Sequence, residues 1–191
     1  MIFRITSKLQ KKIGLDSLPS IPHDKSQNPI LDWSVHVFIA GRKQYIILSN
    51  TASLYSMIFL GRGITNDKKF IHEALSCMRG FMGINGYGMT AKKIIDPSAN
   101  EVFFSKTTNR RVIGSMNDLI FQAKFFLDHN QSTPHDIMAM INNSPMSYLN
   151  YQSPQNEFAK LCSMHEKQSV SEKTMDNVFH IKNFRHLKTK G

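Results

Sequence analysis

From Trp33 to Ala40 the chain keeps a period of two, and no other feature limits its fold so sharply. Trp33, Val35, Val37 and Ile39 fall on one side of an extended chain and Ser34, His36, Phe38 and Ala40 on the other, which is the spacing of a strand with two different faces. Gly41-Arg42-Lys43 ends the run with a turn, and Gln44 to Leu48 is again rich in aromatic and β-branched residues. Residues 33 to 49 are therefore expected to form a β-hairpin with two cations at its tip. A two-stranded hairpin needs further elements to cover it, and the rest of the sequence offers both strands and helices.

Ile2, Phe3 and Ile5 around Arg4 suggest a short strand, followed over residues 7 to 14 by a short basic helix with Leu9 and Ile13 four apart. Residues 16 to 30 hold Pro19, Pro22 and Pro29 and read as a surface connection. The apolar run from Leu54 to Leu60 suits a strand or a short buried helix, with strand preferred. Phe70, Ile71, Ala74, Leu75, Met78, Phe81 and Met82 recur at helical spacing after the caps Thr65 and Asn66, so a helix is expected over 67 to 82, ended by glycines 80, 83 and 86. Residues 87 to 100 read as loop and 101 to 106 as strand. Ser115 with Asp118 has the form of a capping box opening a helix over 116 to 128. Thr133-Pro134 and Ser153-Pro154 open two more, over 134 to 143 and 154 to 166. The expected fold is a single α+β domain over 1 to 167, with a small, mainly antiparallel sheet covered by four to five amphipathic helices. Residues 168 to 191 form a basic, weakly ordered tail in this reading, because beyond Phe179 they carry Lys182, Arg185, Lys188 and Lys190 and no acid.

Charge narrows the class. The 191 residues include 24 Lys and Arg against 14 Asp and Glu, a net charge of +10, and such an excess draws in polyanions whatever the fold. The two cysteines, Cys77 and Cys162, lie in apolar stretches and no leader segment opens the chain, so a reducing cytoplasmic compartment is expected. The longest apolar run falls far short of the roughly 18 to 20 residues of a membrane span. His72-Glu73 and His165-Glu166 lack a second histidine four residues on, so no metal site is expected. The glycines at 80, 83, 86 and 88 follow a helix and lack the Lys-Ser/Thr of a phosphate loop. No cofactor is implied.

The segment KTTNRRVIGSMND, residues 106 to 118, is the main candidate site. Lys106, Asn109, Arg110 and Arg111 precede the helix expected at Ser115, whose N-terminus is already the positive end of a macrodipole. Cations tolerated there suit an anion, since free amides and guanidinium forks both fit phosphate oxygens. With Arg42 and Lys43 they would make a nucleic-acid surface, RNA ahead of DNA, giving affinity without sequence choice. Tyr45 or Tyr55 could stack on a base if exposed. A second reading is a metal-independent ribonuclease or toxin-like enzyme in which His36 moves a proton and Arg110 or Lys106 stabilises charge on phosphorus. A third is an interaction module that docks on an acidic protein.

Several stretches taken together resemble a known pattern. Trp33 with Arg42-Lys43, Thr51-Ala52-Ser53-Leu54-Tyr55-Ser56, Lys106-Thr107 with Arg110 to Asp118, and Asn142 to Tyr151 (NNSPMSYLNY) are similar to motifs of an uncharacterised bacterial domain family, a domain of unknown function. The opening Met1, Arg4, Thr6, Lys8 and Leu9 matches the start of that pattern. In it a serine commonly follows the first arginine of the third motif, where this chain has Arg111. The resemblance spans residues 1 to about 165 and implies a domain boundary there, but no reaction, cofactor or substrate.

Overall fold

The protein's structure, a computed structural model, describes residues 1–22, 28–128 and 133–167. The basic tail expected from 168 onward lies outside the described residues. Among the described residues, five strands form one mixed sheet in the order β4-β3-β2-β1-β5: β1 (Ile2–Ile5), β2 (Asp32–Ala40), β3 (Lys43–Asn50), β4 (Ser56–Leu60) and β5 (Phe103–Lys106). The hairpin of β2 and β3 pairs Trp33 with Asn50 and Ala40 with Lys43 across the turn at residues 41 and 42. The 54-to-60 run is strand from Ser56 onward and pairs antiparallel to β3. β1 departs from a mainly antiparallel sheet. It lies between β2 and β5 and runs parallel to both, so the sheet has two parallel and two antiparallel pairings.

Six helical segments surround it among the described residues: α1 (Ser7–Lys12), α2 (Asp67–Ile84), α3 (88–98), α4 (Arg110–Asp128), α5 (Pro134–Asn143) and α6 (154–167). On one face Phe3 and Phe104, neighbours across β1 and β5, pack on Phe70 of α2. On the same face Trp33 meets Phe158 of α6, which stacks on Tyr55 with ring centroids 4.5 Å apart. The free edge of β4 is closed by α5: Asn142 accepts from the Ser56 amide and donates to the Ser56 carbonyl, both at 2.7 Å. A covered edge cannot recruit another strand.

The other face carries a buried ion pair. Arg4 is 1 % exposed, and its Nε and Nη2 both donate to the Asp32 carboxylate, the shortest contact being 2.8 Å. Nη1 donates to the Ile21 carbonyl at 2.5 Å, and Thr51 donates to Asp32 at 2.8 Å. The pair is thus bonded on several sides, as a buried charge requires, and it pins the 15-to-22 connection to the sheet.

Two local expectations fail. Residues 87 to 100 are mostly helical, as α3 winds through a wide π turn at Ala91–Ile95; buried Ala91 and Ile95 anchor it. The helix expected to begin after Ser115 begins at Arg110 instead. Its cap is Asn109, whose Oδ1 accepts from the amides of Arg111 at 3.1 Å and Val112 at 3.3 Å. Ser115 is a buried residue inside the helix rather than its cap.

Candidate nucleic-acid interface

Moving the start of α4 forward changes what its first turn presents. β5 ends at Lys106, three residues connect, and Arg110 and Arg111 become the first two residues of the helix. No acid lies in that first turn. Lys106, Arg110 and Arg111 are all exposed, and among the described residues no carboxylate pairs with any of them. Asn109 serves as cap, so its carbonyl oxygen is already committed to the helix. The first turn therefore adds side-chain cations to the partial positive charge of the helix end.

One face of α4 continues this surface into a cleft of about 460 Å³. Arg111, Gly114, Ser115 and Asp118 stand at i, i+3, i+4 and i+7, so they form a single stripe along the helix. Opposite them is the short turn Ser147–Leu149 followed by Asn150; Ser147, Tyr148 and Asn150 line the cleft. Met146 and Leu149 are buried and hold this turn from below. Backbone bonds from Tyr151 to Met146 (2.9 Å) and from Met146 to Gln152 (3.1 Å) close it, and Ser144 donates to Gln122 of α4 at 2.7 Å. Asn150 and Tyr151 both adopt left-handed conformations, with φ of 53° and 63°, a costly backbone for a residue such as tyrosine.

The polar groups of this cleft differ from the buried ones of the sheet and of α5. Those of Arg4, Asp32, Ser34, Thr51, Asn50 and Asn142 bond to protein partners. The side chains of Arg111, Ser115, Asp118, Ser147, Tyr148 and Asn150 make no hydrogen bond or ion pair among the described residues. A methyl group built at Gly114 would meet nothing within 4 Å, so this glycine leaves the cleft floor open.

The other sequence candidates do not join this surface. Arg42 and Lys43 are exposed at the hairpin tip, Arg42 with φ of 61°. The tip docks on the far end of α4, where the Gly41 amide donates to the Asp128 carboxylate. Nineteen helical residues separate the two ends, roughly 27 Å, so the hairpin cations and Arg110–Arg111 form two surfaces. Tyr45 stacks on Phe38 and Tyr55 lies in the aromatic cluster; both are buried, and neither can stack on a base. His36 shares Nδ1 with the Thr6 hydroxyl at 2.9 Å. Ile5 is in register with both Val35 and Lys106, so His36, one residue on from Val35, points to the opposite face from Lys106. Burial, Lys8 and Lys124 all hold its pKa below the ordinary histidine value.

The sequence reading missed Tyr148, Ser147 and Asn150 as site residues and treated Ser115 and Asp118 as structural. The helical spacing of Arg111, Gly114, Ser115 and Asp118 was a legible signal, obscured by starting the helix at Ser115. Among the described residues no group of three or more His, Cys, Asp or Glu stands ready to hold a metal ion, and no helix is long and apolar enough to cross a membrane. No curated protein matches the chain. A family model described as a domain of unknown function matches residues 2–157, a span holding both walls of the cleft, and the chain therefore belongs to the DUF6933 family.

Proposed function

We propose that the protein binds single-stranded nucleic acid, RNA in preference to DNA, with backbone phosphates resting on the first turn of α4. The observation that carries this reading is that Arg110 and Arg111, at a helix start that has no acid of its own, have no partner among the described residues. Cations at that end are unfavourable to the helix, and a phosphate relieves the repulsion while using the guanidinium forks as donors. Lys106 supplies a third charge from the end of β5. The net charge of +10 adds long-range attraction without choosing a site. A cleft lined by unbonded polar side chains next to the cations favours a strand whose bases are free over a closed duplex, whose base edges are already paired.

The test is the salt dependence of binding for a short labelled RNA. Three phosphate contacts on a single strand predict a slope of about −2 in log affinity against log salt. The double variant Arg110→Ala/Arg111→Ala should flatten that slope to about −0.7, whereas Arg42→Ala/Lys43→Ala, at the far end of the helix, should leave it close to that of the natural protein. Equal loss from both double variants would mean that diffuse charge, not this turn, holds the RNA.

A further inference from the structure

The acid in the cleft is what a plain phosphate site does not explain. Asp118 is exposed, lines the cleft with Arg111, and has no partner among the described residues. Its position along α4 is seven residues beyond Arg111, roughly 10 Å, about the reach of one nucleotide from its phosphate to the far edge of its base. Between cation and carboxylate lie the open floor at Gly114, the Ser115 hydroxyl and, on the opposite wall, the Tyr148 ring. A ligand that fits this order is anionic at one end, flat in the middle and rich in donors at the other.

From this arrangement we infer that the cleft selects guanine in single-stranded RNA, with the base edge on Asp118. The inference rests on the reading that phosphates bind at Arg110 and Arg111. Guanine presents two adjacent donors, N1–H and the N2 amino group, which match the two oxygens of a carboxylate. Cytosine and adenine offer one amino group beside a ring nitrogen whose lone pair would face the carboxylate. Uracil offers one N–H flanked by two carbonyls. Each of these three brings an acceptor against the negative charge, so the carboxylate rejects them as well as favouring guanine. Tyr148, half-buried against the core and lining the opposite wall, would be the stacking surface, and stacking is indifferent to base identity. Ser115, Ser147 and Asn150 are placed to meet the remaining acceptors and the sugar hydroxyls. Gly114 is the residue that keeps room for the base, because any side chain there enters the cleft.

The experiment compares four labelled RNA heptamers at fixed salt: seven uridines, and the same strand with guanosine, adenosine or cytidine at its centre. The guanosine strand should bind at least about fivefold more tightly than the other three, the discrimination of one good bidentate contact. In Asp118→Asn the guanosine strand should bind no better than the others, since an amide cannot accept both protons. Gly114→Ala should likewise erase the preference while melting no lower than the natural protein, because alanine is the better helix former and meets no neighbour. Equal affinity for all four strands in the natural protein overturns the inference and leaves phosphate binding standing. A guanosine preference that survives Asp118→Asn also overturns it. Failure of every strand to bind overturns both readings.

Discussion

At the scale of single residues, His36 shows how the sheet limits a histidine. It is the proton carrier of the ribonuclease reading, on the strand face opposite Trp33. In the structure its Nδ1 is engaged by Thr6 and two lysines lie near enough to oppose its protonation. The folded pKa is below the unfolded value near 6.5, so the unfolded chain binds the extra proton more readily. The stability this contributes is present above about pH 6.5 and declines as pH falls toward the folded pKa. Melting temperature followed from pH 7 to 5 should therefore drop, and His36→Gln should flatten that part of the curve. The opening of α5 responds in a separate window: Thr133 bonds to Asp136 and holds its carboxyl below the usual range, so that contribution is lost only as pH falls below the ordinary aspartate value. Cys77 is inert by comparison, since burial and Glu73 push its thiol up to about 12.

At the scale of elements, α4 shows what pattern alone can and cannot fix. Its apolar face, with Met116, Leu119, Ile120 and Ala123 buried, was legible from spacing. Its start was not. Val112, Ile113 and Gly114 are poor helix formers, and Ser115 with Asp118 imitates a capping box, so local preference pointed to the wrong turn. Burial of Val112 against the core extends the helix back to Asn109, a tertiary gain that propensity does not record. Cap substitutions test this directly. Asn109→Ala should cost about 1 kcal/mol, as loss of a true cap does, whereas Ser115→Ala, whose hydroxyl has no hydrogen-bond partner among the described residues, should cost less than about 0.5 kcal/mol. Urea unfolding of the two variants gives the comparison. The π turn of α3 was missed for a related reason: glycines at 86 and 88 and a proline at 97 read as loop, and the anchoring of Ala91 and Ile95 appears only once α2 is beside them.

At the scale of the whole molecule, the five strands and the helices other than α3 were readable because apolar patterning reports directly on burial. The parallel placement of β1 between β2 and β5 was not, since no local pattern states which strands become neighbours. The same gap affected the site. Arg42, Lys43, Arg110 and Arg111 could be picked out by charge, yet only the packing of the hairpin tip on Asp128 shows that α4 holds them apart. Conversely, the stretches around 111 to 118 and 147 to 150 are distant in sequence and meet across one cleft. The central claim is that nucleic acid engages this cleft and the cationic turn beside it. Amide chemical shifts recorded while the guanosine-containing heptamer is added test it most directly. Perturbations should concentrate at residues 107 to 118 and 147 to 151 and leave 41 to 43 still. Shifts gathered at the hairpin tip, with the start of α4 and the 147-to-151 turn unmoved, would contradict the account.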